Sequence, residues 1–104
     1  MKKDQINQLR FSTHFIQRFI ERFGKRFYVT ETSPREHVTN KIWKTLSEAQ
    51  EDVPNNISHF NYLKRRYNID KMFRGCGIIF FVKENTVVTC IPASNINFQN
   101  KELI

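Results

Sequence analysis

The chain has 104 residues, a formal charge of +7, 39% hydrophobic and 13% aromatic residues, with ten Phe. That is enough apolar material for one folded domain (1–104) with its own core, and too much for a disordered tail. It contains no run of about 18 apolar residues, so no helical membrane span is expected. Met1–Asn7 lacks the apolar segment of a signal peptide, which points to a cytoplasmic protein.

Residues 1–10 are polar and read as a loose arm. A helix begins at Ser12 or Thr13, and with Ser12 as cap, Phe11 and Ile16 occupy the positions of a hydrophobic staple. Phe15, Ile16, Phe19, Ile20 and Phe23 then form one broad apolar face, and Gly24 is read as the stop. His14, Arg18, Glu21 and Lys25 make a column on the other side, with Arg22 at its edge. Residues 25–32 read as a connector. Ser33-Pro34-Arg35-Glu36 is a second helix start: a cap, Pro at the first helical position and Glu three residues after the cap. Val38, Ile42, Leu46 and Ala49 continue at helical spacing beside Trp43, and Val53-Pro54-Asn55-Asn56 ends the run.

From Ile57 the period changes. Ser58–Tyr67 is either a short helix or an extended segment, Ile69–Arg74 is a strand candidate, and Gly75-Cys76-Gly77 is a turn or bulge. Ile78–Ile91 reads as a hairpin broken at Lys83–Thr86, and its nearly continuous apolar runs require cover on both faces. A three-residue loop, Glu84-Asn85-Thr86, pairs Phe81 with Thr89 and puts Lys83 and Thr89 on one face. A two-residue loop, Glu84-Asn85, pairs Phe80 with Thr89 and separates them. Residues 93–104 read as a tail. The expected class is α+β: two N-terminal helices on a small antiparallel sheet ending in the 78–91 hairpin.

Two cysteines, Cys76 and Cys90, are neither a disulfide framework nor a metal set, and they read as reduced core residues of a cytosolic protein. His14, His37 and His59 are scattered. There is no phosphate-binding Gly-rich loop and no nucleophile elbow, so no metal or other cofactor is expected. The basic balance makes nucleic acid the default partner. His14 and Arg18, four apart, present an imidazole and a guanidinium to one object. A phosphodiester suits that pair, since imidazole carries protons near neutral pH and guanidinium grips phosphate oxygens. The alternative is a solvated face on which Glu21 pairs with Arg18 and Lys25. Lys64, Arg65 and Arg66, framed by Tyr62 and Tyr67, suit single-stranded nucleic acid, or else a solubilising turn. Arg74 and Lys83 border the hairpin.

His14, Arg18, Glu21 and Arg22 on a helix, a second helix and a late hairpin ending Val87-Val88-Thr89-x-Ile91 resemble the small RelE-like ribonucleases. These belong to the barnase, EndoU, colicin and RelE superfamily, and the likeness spans roughly residues 11–92. The resemblance implies N-terminal helices on a curved antiparallel sheet and metal-independent cleavage of RNA through attack of the ribose 2′-OH on the adjacent phosphorus. It implies His14 as base or acid, Arg18 or Arg22 as phosphate stabiliser and Thr89 orienting the phosphate from the sheet. Arg65, Arg66 and Arg74 are further cations, by charge alone. Such sites usually draw a second proton-transfer group from the sheet; here no His follows His59, and neither Lys83 nor Tyr67 is predicted to take that role. Such proteins include toxins, for which an antitoxin or host protein is the partner, and phage enzymes that act on messenger RNA in the host cytoplasm. Abundant Asn, Ile, Lys and Phe suit an AT-rich phage or mobile-element gene. The rival expectation is a non-catalytic basic protein that coats nucleic acid or blocks a host enzyme.

Overall fold

The computed structural model describes residues 8–51 and 57–95. The elements run β1 (Arg10–Phe11), α1 (Thr13–Phe27), α2 (Arg35–Ser47), β2 (Gln50–Glu51), α3 (Ile57–Tyr67), β3 (Lys71–Gly75), β4 (Ile78–Lys83) and β5 (Thr86–Pro92). A 3-10 turn, Ala93–Asn95, follows. The sheet order is β1-β5-β4-β3-β2. β1 runs parallel to β5 and every other pairing is antiparallel, so the class is α+β with a mixed sheet. Arg10 therefore belongs to a strand, not to a loose arm. Residues 1–7, the Val53–Asn56 stop and the tail after Asn95 lie outside the described residues.

The β4–β5 ribbon is buried on both faces, as its unbroken apolar runs require. Ile78, Phe80, Val82, Val87 and Cys90 face a core built with Phe15, Phe19 and Phe23 of α1 and Val38, Ile42 and Leu46 of α2. Ile79, Phe81 and Ile91 face the other way, onto Met72, Ile69 and Leu63 of α3. The sheet is thus sandwiched between α1–α2 and α3. The third helix resolves the ambiguous 57–67 segment. Leu63 fits the second apolar face, while Lys64, Arg65 and Arg66 in the last turn complement the helix dipole.

Phe15, Phe19, Phe80 and Phe81 are fully buried, a contribution of about 1.5–3 kcal/mol each. The Ser12 cap, whose Oγ accepts from the Phe15 N–H at 2.9 Å, adds about 1 kcal/mol and serves mainly to set where α1 starts. Phe11 packs its ring on Phe15 and Trp43, with centroids 5.4 and 4.7 Å apart.

Several local expectations are corrected. Gly24 does not end α1. The helix continues through Lys25, Arg26 and Phe27 and is closed by Tyr28 in the left-handed region, φ 59°. Gly24 is needed because the chain doubles back over it: the Val29 N–H donates to the Gly24 carbonyl, and an added Cβ would meet the Val29 oxygen at 2.6 Å. Ser33 does not cap α2; its Oγ accepts from the Thr30 N–H and closes the preceding turn. That helix stops at Ser47, before buried Ala49, whose backbone lies so close to Gly75 that a Cβ there would sit 2.8 Å from the Ala49 Cα. Gly75 is the last residue of β3, and Cys76-Gly77, both at positive φ, make the tight turn into β4.

Alanine in place of a helical glycine normally stabilises by up to about 1 kcal/mol. Gly24→Ala should instead destabilise by about 1–3 kcal/mol, through the overpacked Val29 carbonyl. Urea denaturation reads this directly, and an increase in the midpoint would contradict the close-approach explanation.

Candidate functional site

An open cleft of about 470 Å3 lies where α1, the C-terminal turn of α3 and β5 meet. Helix α1 contributes His14, Arg18 and Arg22, a straight i, i+4, i+8 row. Helix α3 contributes Arg66 and Tyr67, and β5 contributes Val88, Thr89 and Ile91. The row that faces the cleft is thus 14-18-22, with Arg22 inside it; Glu21 and Lys25 do not line it. The ionisable side chains of the lining are cations, His14 and the Tyr67 phenol, with no carboxylate among them.

Two features of β5 bring the sheet to this face of α1. The first is a set of donors along the hairpin. Arg10 and Ser12 backbone N–H groups donate to the Asn85 and Val87 carbonyls, at 2.7 and 3.2 Å. The Ser12 hydroxyl donates to the Val88 carbonyl at 3.4 Å, and the Arg22 guanidinium donates to the Cys90 carbonyl at 2.6 Å. They occupy carbonyls that an edge strand would otherwise present for pairing with another chain.

The second feature is a β-bulge. Glu84 and Asn85 form a two-residue turn, with φ 50° and 63°, and Lys83 pairs with Thr86. By itself that turn would pair Phe80 with Thr89. The register shifts instead between Phe81 and Val82, so Val82 opposes Val87 while Phe81 opposes Thr89. Val88 is the extra residue. Thr89 consequently shares the Phe81 face, as the longer loop would have placed it, and Val88 packs on that same second core.

Tyr67 is fixed by its ring, stacked on Phe81 with centroids 4.5 Å apart and planes inclined by 21°. The Arg66 guanidinium carbon lies 5.6 Å from the centre of the Tyr67 ring. Arg18 has a partner: its Nη1 donates to Glu21 Oε2 at 2.7 Å, the pairing expected of a solvated face. Both groups are about a third exposed, so such a pair is worth no more than about 1 kcal/mol. Arg22, holding the Cys90 carbonyl, is part of the scaffold.

The remaining candidates lie elsewhere. Lys83 shares the Thr89 face, but its amine turns to Asp70 Oδ1 at 3.3 Å and it does not line the cleft. Lys64 and Arg65 occupy the last turn of α3 outside the cleft lining, and half-buried Arg74 sits on β3 opposite Ile79. A second hollow of about 360 Å3, beside the hairpin tip, sets Lys71 against Asp70 and Glu84 and does not gather cations. Among the described residues, no three His, Cys, Asp or Glu side chains cluster as metal ligands would. Among them, too, no helix is long and apolar enough to cross a membrane.

The thiols are poor nucleophiles. Burial pushes Cys90 up to about 12, against the pull of nearby Arg22. Cys76 is not the core residue expected: it sits on the exposed turn before β4, and its thiol is raised by desolvation and by its hydrogen bond to Glu48. Asp70 is held below its ordinary 3.8 chiefly by the Glu84 backbone N–H, with Lys83 assisting.

At mildly alkaline pH, iodoacetamide should modify Cys76 slowly and leave Cys90 untouched until the protein unfolds. Mass spectrometry across a urea series checks this, and native-state labelling of both at similar rates would contradict the burial of Cys90. A depressed carboxyl stabilises above its unfolded value and loses that contribution as pH falls through its folded value. The Asp70 clamp on the turn should therefore be lost below about pH 3.8, and Asp70→Ala should flatten that part of the stability profile.

No family model matches this chain, nor does any curated protein or solved structure.

Proposed function

We propose that the protein is an endoribonuclease that cuts single-stranded RNA in the α1–α3–β5 cleft through 2′-OH attack, using its own side chains and no metal. The observation that supports this reading is the gathering of His14, Arg18, Arg66, Tyr67 and Thr89, from three separate elements, around one open cleft. A solvated helix face requires no such meeting with a tyrosine and a strand hydroxyl.

The chemistry needs a base for the 2′-OH, cations for the crowded phosphorus and an acid for the leaving 5′-oxygen. In this proposal His14 takes the 2′-OH proton as the oxygen attacks phosphorus. Arg66, and Arg18 once released from Glu21, balance the charge on the non-bridging oxygens, and the Thr89 hydroxyl donates to one of them. The Tyr67 phenol gives its proton to the 5′-oxygen as the P–O bond breaks. The products are a 2′,3′-cyclic phosphate and a 5′-hydroxyl, and water then takes the proton gained by His14 and restores the one lost by Tyr67. Lys83, engaged with Asp70, takes no part. Arg22 positions the strand that carries Thr89. The RelE-like resemblance adds the biological setting: a toxin or phage enzyme acting on messenger RNA in the cytoplasm, with an antitoxin or host protein as partner.

A second reading, a non-catalytic basic binder, draws on the fact that the Arg18 and Arg22 guanidinium groups already have protein partners. Incubation with a long single-stranded RNA in EDTA separates the two. The enzyme should yield fragments ending in cyclic phosphate, and His14→Ala should slow it by about 10²–10⁴-fold. Tyr67→Phe, which keeps the ring on Phe81, should also slow cleavage while leaving thermal stability nearly unchanged. Intact RNA across several unrelated substrates would overturn the catalytic reading in favour of the binder.

A further inference from the structure

The cleft has two chemically different halves. The α1 side carries His14, Arg18 and Arg22; the opposite side is apolar, formed by Val88 and Ile91 with the Tyr67 ring beside them. Val88 and Ile91 belong to the sheet face that packs on α3, so this half is the outer surface of the second core. It exists because of the bulge. With the regular pleat, successive residues turn to opposite faces, and Val88 and Thr89 could not both lie on this one. A site that recognised only phosphate would have no use for an apolar half; Val88 is its half-buried part, and Ile91, 7% exposed, adds a narrow strip of surface.

Resting on the RNA reading of the cleft, we infer that Val88, Ile91 and Tyr67 form a nucleobase subsite that seats one unstacked base next to the phosphate held by the basic half. The base lies mainly on Val88, with the exposed margin of Ile91 beside it, against the edge of Tyr67. Phe81 and the Arg66 guanidinium already lie against the Tyr67 ring, so its edge is what remains for the base. The cleft volume of about 470 Å3 falls within the range of roughly 300–1,000 Å3 typical of small-ligand sites. The subsite would make the protein select single strands, because a paired base must first be unpaired and unstacked to enter. A sulfated or phosphorylated polymer without bases would engage the basic half alone.

The test is fluorescence anisotropy with a 2′-fluoro RNA oligomer, which lacks the attacking hydroxyl, beside an oligomer of equal length and charge made of abasic residues. The base-bearing oligomer should bind about 10-fold more tightly. Val88→Thr keeps a β-branched side chain at the bulge and should reduce that preference to nearly nothing, with the salt dependence of binding unchanged. Equal binding of the two oligomers by the unmodified protein would overturn the base subsite while leaving nucleic-acid binding standing, and this comparison needs no variant to fold. A preference that survived Val88→Thr would overturn the placement of the base. Binding of neither oligomer would overturn the RNA reading and the subsite with it.

Discussion

Burial of the β4–β5 ribbon on both faces is the constraint from which the rest of the architecture follows. Phe80 and Phe81 are neighbours in sequence, point to opposite faces and are both fully buried. A strand pair with that pattern cannot sit at a water-facing surface, so helices must cover each side. Helices α1 and α2 take one face and α3 the other. The C-terminal end of α3 is thereby brought opposite the polar side of α1, with β5 between them. The cleft is where these coverings meet along an edge left incompletely covered by the two-residue strand β1.

The bulge at Val88 turns this edge into a site. Without it, the two-residue turn at Glu84-Asn85 would pair Thr89 with Phe80 and face its hydroxyl into the α1–α2 core. With it, Thr89 and Val88 both open into the cleft. Arg22 holds the same stretch from α1 by donating to the Cys90 carbonyl, so one guanidinium both closes part of the strand edge and sets the distance between helix and sheet. Positioning of the proposed catalytic groups therefore depends on backbone hydrogen bonding as much as on side-chain packing.

The hairpin, the first two helices and the α+β class were legible because each rests on local periodicity. Phe15, Phe19 and Phe23 repeat at helical spacing, and Ile78–Val82 is too apolar for anything but a covered strand. Helix α3 was ambiguous because Phe60 and Tyr62, two apart, also fit an extended segment, and packing of Leu63 and Tyr67 on the second core goes with the helical form. Gly24 was misread because a glycine required by a close backbone approach has the same sequence appearance as one that ends a helix. The bulge was invisible for a related reason. In Thr86–Ile91, where apolar residues do not alternate, one extra residue leaves no trace in the pattern. His14, Arg18 and Thr89 were nonetheless picked out together, from helix spacing and family resemblance. Tyr67 was expected only as a nucleic-acid contact; its place in the cleft, with Lys83 turned to Asp70, follows from the tertiary arrangement alone. The roles of Val88, Ile91 and Arg22 depend wholly on that arrangement.

In the function proposed, this cleft, and not the basic surface at large, is where the protein meets its substrate. Two-dimensional NMR of the protein during titration with a short, uncleavable single-stranded RNA tests it most directly. Binding in the cleft should give saturable shifts concentrated on the His14 ring, the Thr89 and Val88 methyl groups and the Arg66 side chain, with Lys41 and Lys44 on α2 unmoved. Shifts spread evenly over the lysine and arginine side chains, with His14, Val88 and Thr89 unaffected, would contradict it.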